Sequence, residues 1–374
     1  MTRDLDAAAA PPDESTAESA AESTHETPDA TPGEAPAPPR RRAGSAPTIY
    51  DVAKLAGVAP STVSRALGKP GRITPRTQMK VQAAADELQY RFNPMARALP
   101  TGRSSTLGML VADFTNPVFF EMVRGAEHLA ADHGYTLILS ESEESGPREA
   151  EQAARLLPSV GGLVLATTRL TDDEILSLAA AKPVVLINRA VPGVDSVVSD
   201  VAPGIDAALE LLHDLGHRSI AYLAGPELAW IGRRRWDHLL AAAPALGMRI
   251  VEIPTSSPTI EGGADALTRV RASGVTAVVA YNDLVAIGLM QAAKEAGVGV
   301  PDELSIVGFD DIFGASLTSP SLTTVKTELR SIGARAMGKL LDALGPDDGR
   351  PMSVDEGPVP TVLVRRESTG PAAR

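Results

Sequence analysis

From Thr106 onward, short apolar runs alternate with amphipathic stretches, and that alternation leaves few folds open. TLGMLVA, YTLIL, GLVLAT and PVVLIN read as buried strands, separated by helix-patterned segments such as PVFFEMVRGAEHLAADHG. The theme repeats after Asp200 with SIAYLAG, RIVEI, TAVVAYN and ELSIVGF. Strands that alternate with helices build doubly wound parallel sheets with helices on both faces. Two such series in one chain imply an α/β core of two similar lobes with a cleft between them.

Ligands of open α/β sheets sit outside the carboxyl ends of the strands. Asp113, Phe114 and Asn116 follow the first strand there, Asn188 and Arg189 follow PVVLI, and Asp200 follows DSVVS. Asn282 and Asp283 follow TAVVAY, and Asp310 and Asp311 follow SIVGF. A ring of Asn, Asp and Arg offers donors and acceptors together, which suits a polyol. Each residue alone has a plainer use, since Asp and Asn cap helices and make turns, as Asp200 and Asp310 would. Their convergence on one edge is the signal. Phe119 and Phe120, opening the first core helix, read as packing residues.

Ahead of the core, Thr48 to Leu67 reads as two short helices joined by a tight turn. Thr48 can cap the first helix, and Asp51 three residues on completes a capping-box-like start. Val52, Leu55 and Ala56 recur at helical spacing and form its inner face. Gly57 stops it, Val58 fills the angle, and Pro60 opens the second helix, where its missing N–H costs nothing. That helix buries Val63 and Leu67 and turns Ser61, Thr62, Ser64 and Arg65 outward. Such a pair fits either a recognition helix for a DNA major groove or a small helical hairpin with a solvated polar face. A third helix starts at Thr74 and Pro75, with Val81, Ala84, Ala85 and Leu88 on its inner face, and Tyr90 and Phe92 finish the small core.

Charge favours DNA. The chain as a whole carries −12, but residues 47–103 hold nine cations against three anions, a net of +6. A basic module on an acidic chain is the electrostatic footprint of a DNA-binding head. Residues 1–46 are Ala, Pro, Glu, Ser and Thr with almost no large apolar side chains, the composition of a disordered tail. Its Arg40, Arg41 and Arg42 either touch phosphates or merely solubilise.

DVAKLAGVAPSTVSRAL, with ITPRTQMKVQAAADELQYRFNPMARAL after it and the whole core, resembles the LacI/GalR family of bacterial transcription regulators over residues 47–370. The resemblance implies an all-α helix-turn-helix head (47–92), a hinge helix or linker (93–103) and a periplasmic-binding-protein-like core (104–374). Lobe boundaries would fall near 200 and 326, the chain crossing three times. The implied DNA contacts are Thr48, Tyr50, Pro60, Ser61, Thr62, Ser64, Arg65, Thr77, Asn93, Ala96 and Leu99. Arg65 would read guanine, Thr62 and Ser64 would hold phosphate, and Leu99 would wedge into the minor groove of a palindromic operator. Pro100 departs from the usual pattern and disfavours helical geometry at Leu99. Ala59 replaces the common serine cap, at a cost of about 1 kcal/mol.

For the core, the resemblance implies effector contacts at Arg235, Asn188, Asn282 and Asp310, beside Asp113, Phe114, Asn116, Arg189 and Asp200. Trp230 and Trp236 flank the arginine cluster and offer a stacking wall for a sugar ring, with ordinary packing the plainer reading of Trp236. Leu329 stands where some members carry an aromatic contact, and His238 where the residue is usually small.

The implied function is a cytoplasmic, dimeric, ligand-responsive regulator, a repressor of carbohydrate-utilisation genes released by a small sugar. A purine or nucleoside effector, co-repression, a protein co-regulator and a pure small-molecule binding protein are the alternatives. No cysteine is present, no apolar run reaches membrane-spanning length, and no signal-peptide h-region follows the first residues. His213 and His217 sit four apart without a third metal ligand, and no P-loop, dinucleotide fingerprint or nucleophile elbow is found. No cofactor and no enzyme activity are expected. VLVRRESTGPAAR lacks a leucine heptad, so the expected assembly stops at the dimer.

Overall fold

A computed structural model describes residues 47–68, 73–90, 104–345 and 357–373. The chain divides into two compact units between Phe92 and Asn93. The expectations for Arg40–Arg42, Phe92, Asn93, Ala96, Leu99 and Pro100 lie outside the described residues.

The first unit holds three helices, α1 (Ile49–Ala56), α2 (Pro60–Gly68) and α3 (Pro75–Glu87). The Asp51 carboxylate accepts the Thr48 N–H at 2.8 Å and the Thr48 hydroxyl at 2.7 Å, fixing the start of α1. Gly57 ends it at φ +64°, a left-handed conformation that glycine adopts without strain. Val52, Val63 and Val81, one from each helix, are fully buried among Ala53, Ala66, Ala84 and Ala85. Leu67, Leu88 and Tyr90 pack against them partly buried. One expectation fails: Leu55 is 46% exposed, and Ala53 takes the inner place beside Val52. An eight-residue helix against two neighbours buries two adjacent positions, and the small one admits the close approach.

The second unit begins with a five-stranded sheet. In chain order its elements are β1 (Thr106–Val111), α4 (Val118–Asp132), β2 (Thr136–Glu141), α5 (Gly146–Leu156), β3 (Leu163–Ala166), α6 (Asp172–Ala181), β4 (Val184–Ile187) and β5 (Asp195–Val197). The strand order is β2-β1-β3-β4-β5, all parallel. A seven-stranded sheet follows, with β6 (Ser199–Asp200), α7 (Ala202–Asp214), β7 (Ser219–Ala224), α8 (Trp230–Ala242), β8 (Arg249–Pro254), α9 (Ile260–Asp265), α10 (Leu267–Ser273), β9 (Ala277–Ala280), α11 (Asp283–Glu295), β10 (Ser305–Asp310) and β11 (Thr323–Thr327). The chain then returns to the first lobe as α12 (Leu329–Ala343) and ends in the second as β12 (Val359–Val364). The second order is β6-β12-β11-β10-β9-β7-β8.

That sheet is not wholly parallel, as the alternation had implied: β12 runs antiparallel to β11 and parallel to β6. The reason is connectivity. Both β6 and β12 enter from the first lobe, whereas β11 leaves toward it. A second correction concerns YTLIL and RIVEI, expected as buried strands. β2 and β8 are edge strands, with Ile138, Leu139 and Val251 exposed. By contrast β1, β3, β4, β9 and β10 are buried along their whole length, as central parallel strands should be. Phe120 is the third correction: it is 49% exposed, because α4 buries Phe119 and turns the next residue outward.

Candidate functional site

The carboxyl ends of the two sheets face one narrow recess, the place where open α/β sheets hold their ligands. Five of the ten effector contacts expected from the sequence line it: Asn116, Asn188, Arg235, Asn282 and Asp310. The three asparagines are also local anchors. Asn116 Oδ1 accepts the Val118 N–H at 3.1 Å and starts α4. Asn282 Oδ1 accepts the Val285 N–H at 2.9 Å, capping α11, while its Nδ2 donates to the Pro258 carbonyl at 2.9 Å. Asn188, held at φ +53°, accepts from both the N–H and the hydroxyl of Ser199 at 3.0 Å, and so braces the crossing between lobes.

Arg235 lies in α8 with its side chain 5% exposed, and Nη2 donates to Asp310 Oδ1 at 3.0 Å. Its Nη1 donates to the Tyr281 carbonyl, and the guanidinium lies 3.5 Å from the centre of the Phe309 ring. Two polar partners and an aromatic face make its burial tolerable. Burial pushes the Asp310 carboxyl up to about 6, with Arg235 pulling it back down.

The other five candidates sit elsewhere. Asp113 closes a turn by accepting the N–H and hydroxyl of Thr115 at 2.7 Å. The Phe114 N–H donates to Glu141 Oε1 at 2.6 Å and its ring is 39% exposed. Arg189 pairs with Asp172, and Asp200 Oδ1 accepts the Ala202 N–H at 3.2 Å. Trp230 packs partly buried against the second-lobe core beneath Arg234, whose guanidinium is 5.7 Å from the indole centre. Trp236 stacks on Tyr222, rings 5.9 Å apart and 12° from parallel, which is packing. His238 Nε2 meets Asp206 Oδ1 at 2.7 Å. His217 is committed on both nitrogens, to Thr276 at 2.8 Å and to Ser305 at 3.0 Å.

On the three-helix unit, Thr48, Tyr50, Ser61 and Arg65 are exposed, and Pro60, Thr62, Ser64 and Thr77 are half-buried. Tyr50 is 70% exposed. The Ala59 carbonyl accepts the N–H groups of Thr62 and Val63, so the backbone opens α2 without a serine.

Residues 48–93 match the model for bacterial regulatory proteins of the lacI family, and residues 209–369 match that for a periplasmic binding protein-like domain. The HTH-type transcriptional regulator GalS of Salmonella typhimurium is 35% identical over 293 residues, 76% of this chain and 86% of its own length. The chain belongs to the LacI family of bacterial regulatory proteins. Among solved structures, the Lac repressor dimer bound to operator and the anti-inducer ONPF superposes with a TM-score of 0.76 at 26% identity, covering 87% of this chain and all of the other. A LacI-family regulator from Enterococcus faecium with bound ribose gives 0.62 at 28% identity, covering 71% and 99%. Among the described residues no helix is long and apolar enough to cross a membrane.

Sequence reasoning about this LacI-family chain missed part of the recess wall. Glu144, Thr167, Tyr281 and Thr327 line it, over an apolar floor that includes Phe119, Ile231 and Leu329. Glu144 and Thr167 follow β2 and β3, and Thr327 ends β11. The strand-end rule, applied to every strand instead of five, would have reached all three. Glu144 accepts from Arg169, whose side chain is 2% exposed, while Glu149 Oε2 accepts the Arg169 N–H at 2.8 Å. Burial raises both glutamates above the ordinary carboxylate range.

Proposed function

We propose that this chain is a cytoplasmic transcriptional repressor that binds operator DNA as a homodimer and is released by a small sugar. The observation that carries the reading is the recess between the lobes. Its polar wall of Asn116, Asn188, Asn282, Arg235 and Asp310 over an apolar floor is the chemistry of a sugar site. The relatives support the rest, since one is a repressor dimer on operator and another holds ribose.

In this reading Arg65 reads base edges from α2, Thr62, Ser64 and Thr77 hold phosphates, and Asn93, Ala96 and Leu99 engage the minor groove at the operator centre. Ligand in the recess favours one lobe arrangement, and operator favours the other. Each therefore lowers affinity for its rival, and no catalytic step is involved.

The test is recovery of genomic DNA fragments by the purified full chain, repeated with candidate sugars. A palindrome enriched without sugar and lost with one of them is the expected result. No enrichment even at low salt would overturn the reading.

A further inference from the structure

Five buried side-chain atoms of the described residues make no hydrogen bond, and three of them belong to residues that line the recess: Thr167 Oγ1, Thr327 Oγ1 and Arg235 Nε. Thr167 follows β3 in the first lobe, Thr327 closes β11 at the crossing, and Arg235 rides on α8 in the second lobe. Buried polar atoms almost always find partners, so three on one cavity wall point to a ligand that supplies them. The groups are two hydroxyls, which donate or accept, and one N–H donor. Ligand hydroxyls satisfy all three.

The charges of the wall narrow the ligand further. Its one cation is Arg235, and its carboxylates are Glu144 and Asp310. Arg235 is committed to Asp310 and the Tyr281 carbonyl, and Glu144 to Arg169. An entering phosphate or carboxylate would have to draw Arg235 away from Asp310. That would leave a carboxylate 8% exposed without its cation, the costly way to break a buried pair. Elsewhere on the wall, an anion would face Glu144.

We propose that the recess selects an uncharged polyhydroxylated ligand, whose hydroxyls bridge Thr167 of the first lobe to Arg235 Nε and Thr327 of the second, and rejects the phosphorylated or carboxylated form of the same sugar. This rests on the recess being the effector site. Phe119, Ile231 and Leu329 take the C–H face of the ring. A ligand held from both lobes also stabilises the arrangement in which they are close, which couples binding to the crossing strands.

The experiment measures melting-temperature shifts of the full chain with D-ribose, D-galactose, D-glucose and cellobiose, beside ribose 5-phosphate, galactose 6-phosphate, glucose 6-phosphate and gluconate. Recovery of genomic DNA is followed in parallel. One neutral sugar should raise the melting temperature, with its charged counterpart at least about 100-fold weaker. Thr167→Val and Thr327→Val should each weaken that sugar about tenfold, and Thr167→Ser should restore it. A charged form that binds as tightly as its neutral parent overturns the inference, as does unchanged affinity in both valine variants. If no neutral sugar binds while a specific DNA site is recovered, the inference falls and the regulator reading stands. If a neutral sugar binds as expected but no DNA is recovered, the regulator reading falls and the selectivity stands.

Discussion

The Asp283 carboxylate accepts the Ile312 N–H at 2.8 Å, tying the first residue of α11 to the turn that follows β10. Its other oxygen accepts the Thr324 hydroxyl at 2.6 Å. The turn needs holding, because Asp310 and Asp311 sit at φ +106° and +57°, where a non-glycine residue costs ~1–3 kcal/mol. Arg366 grips Asp311 from the other side at 2.6 Å. Asp283 does not itself line the recess, yet it fixes the backbone from which Asp310 reaches Arg235. Asp283→Ala leaves a buried N–H and a buried hydroxyl unpaired, and should cost about 3 kcal/mol in urea unfolding. Asp283→Asn retains an acceptor and should cost less. An alanine variant with the wild-type midpoint would show that the turn holds itself.

Asp310 makes stability depend on pH in an unusual direction. Burial raises its folded value to about 6, against 3.8 for the free group, so the folded chain holds the proton more tightly than the unfolded one. This contribution is complete below pH ~4 and is lost as pH rises through about 6, a change of about 3 kcal/mol. Asp310→Asn cannot titrate. Unfolding free energies of the two proteins, measured from pH 4 to 7, should therefore diverge, with the native chain losing ground as pH rises. A constant difference across that range would remove the titration from Asp310.

Gly125 and Gly333 bring α4 and α12 into backbone contact. A Cβ at 125 would lie 2.0 Å from the Arg330 carbonyl oxygen, and one at 333 would lie 1.9 Å from that of Met122. Alanine is worth about 1 kcal/mol over glycine in an unobstructed helix. Here the backbone clash outweighs it, since overpacking costs ~1–3 kcal/mol and neither helix can yield without the other. Gly333→Ala should lower the melting temperature by several degrees, and the double variant should fall by less than the sum, because one displacement relieves both clashes. A melting temperature above wild type would mean that the helices slide apart freely.

Much of this arrangement is legible in the residues, and the failures have physical causes. Central strands announce themselves as continuous apolar runs, whereas TTVKT, which forms β11, has no such run and owes its place to sheet neighbours on either side. The exposure of Ile138 and Leu139 depends on β2 lying at an edge, a fact of strand order that local pattern does not carry. Asn282 shows how the two readings of one residue coexist: it caps α11 and lines the recess. The partnership of Arg235 with Asp310 spans 75 residues, beyond the reach of any periodicity. Only resemblance to a family singled out that arginine.

Arg65 offers the sharpest test of the proposal that α2 faces DNA. It is exposed on α2, and Val63 and Ala66 on either side of it are buried at 0% and 4%. A guanidinium on a short anchored helix can reach guanine O6 and N7 through two parallel hydrogen bonds. Arg65→Ala should then weaken operator binding by about 1–3 kcal/mol and relax discrimination at one base-pair position. If Ser64 holds a phosphate as proposed, Ser64→Ala should weaken every sequence by a similar factor. The measurement is affinity at fixed salt for the operator and a set of single-base variants. If Arg65→Ala weakens the whole set equally, Arg65 anchors the backbone and sequence is read by another side chain of α2.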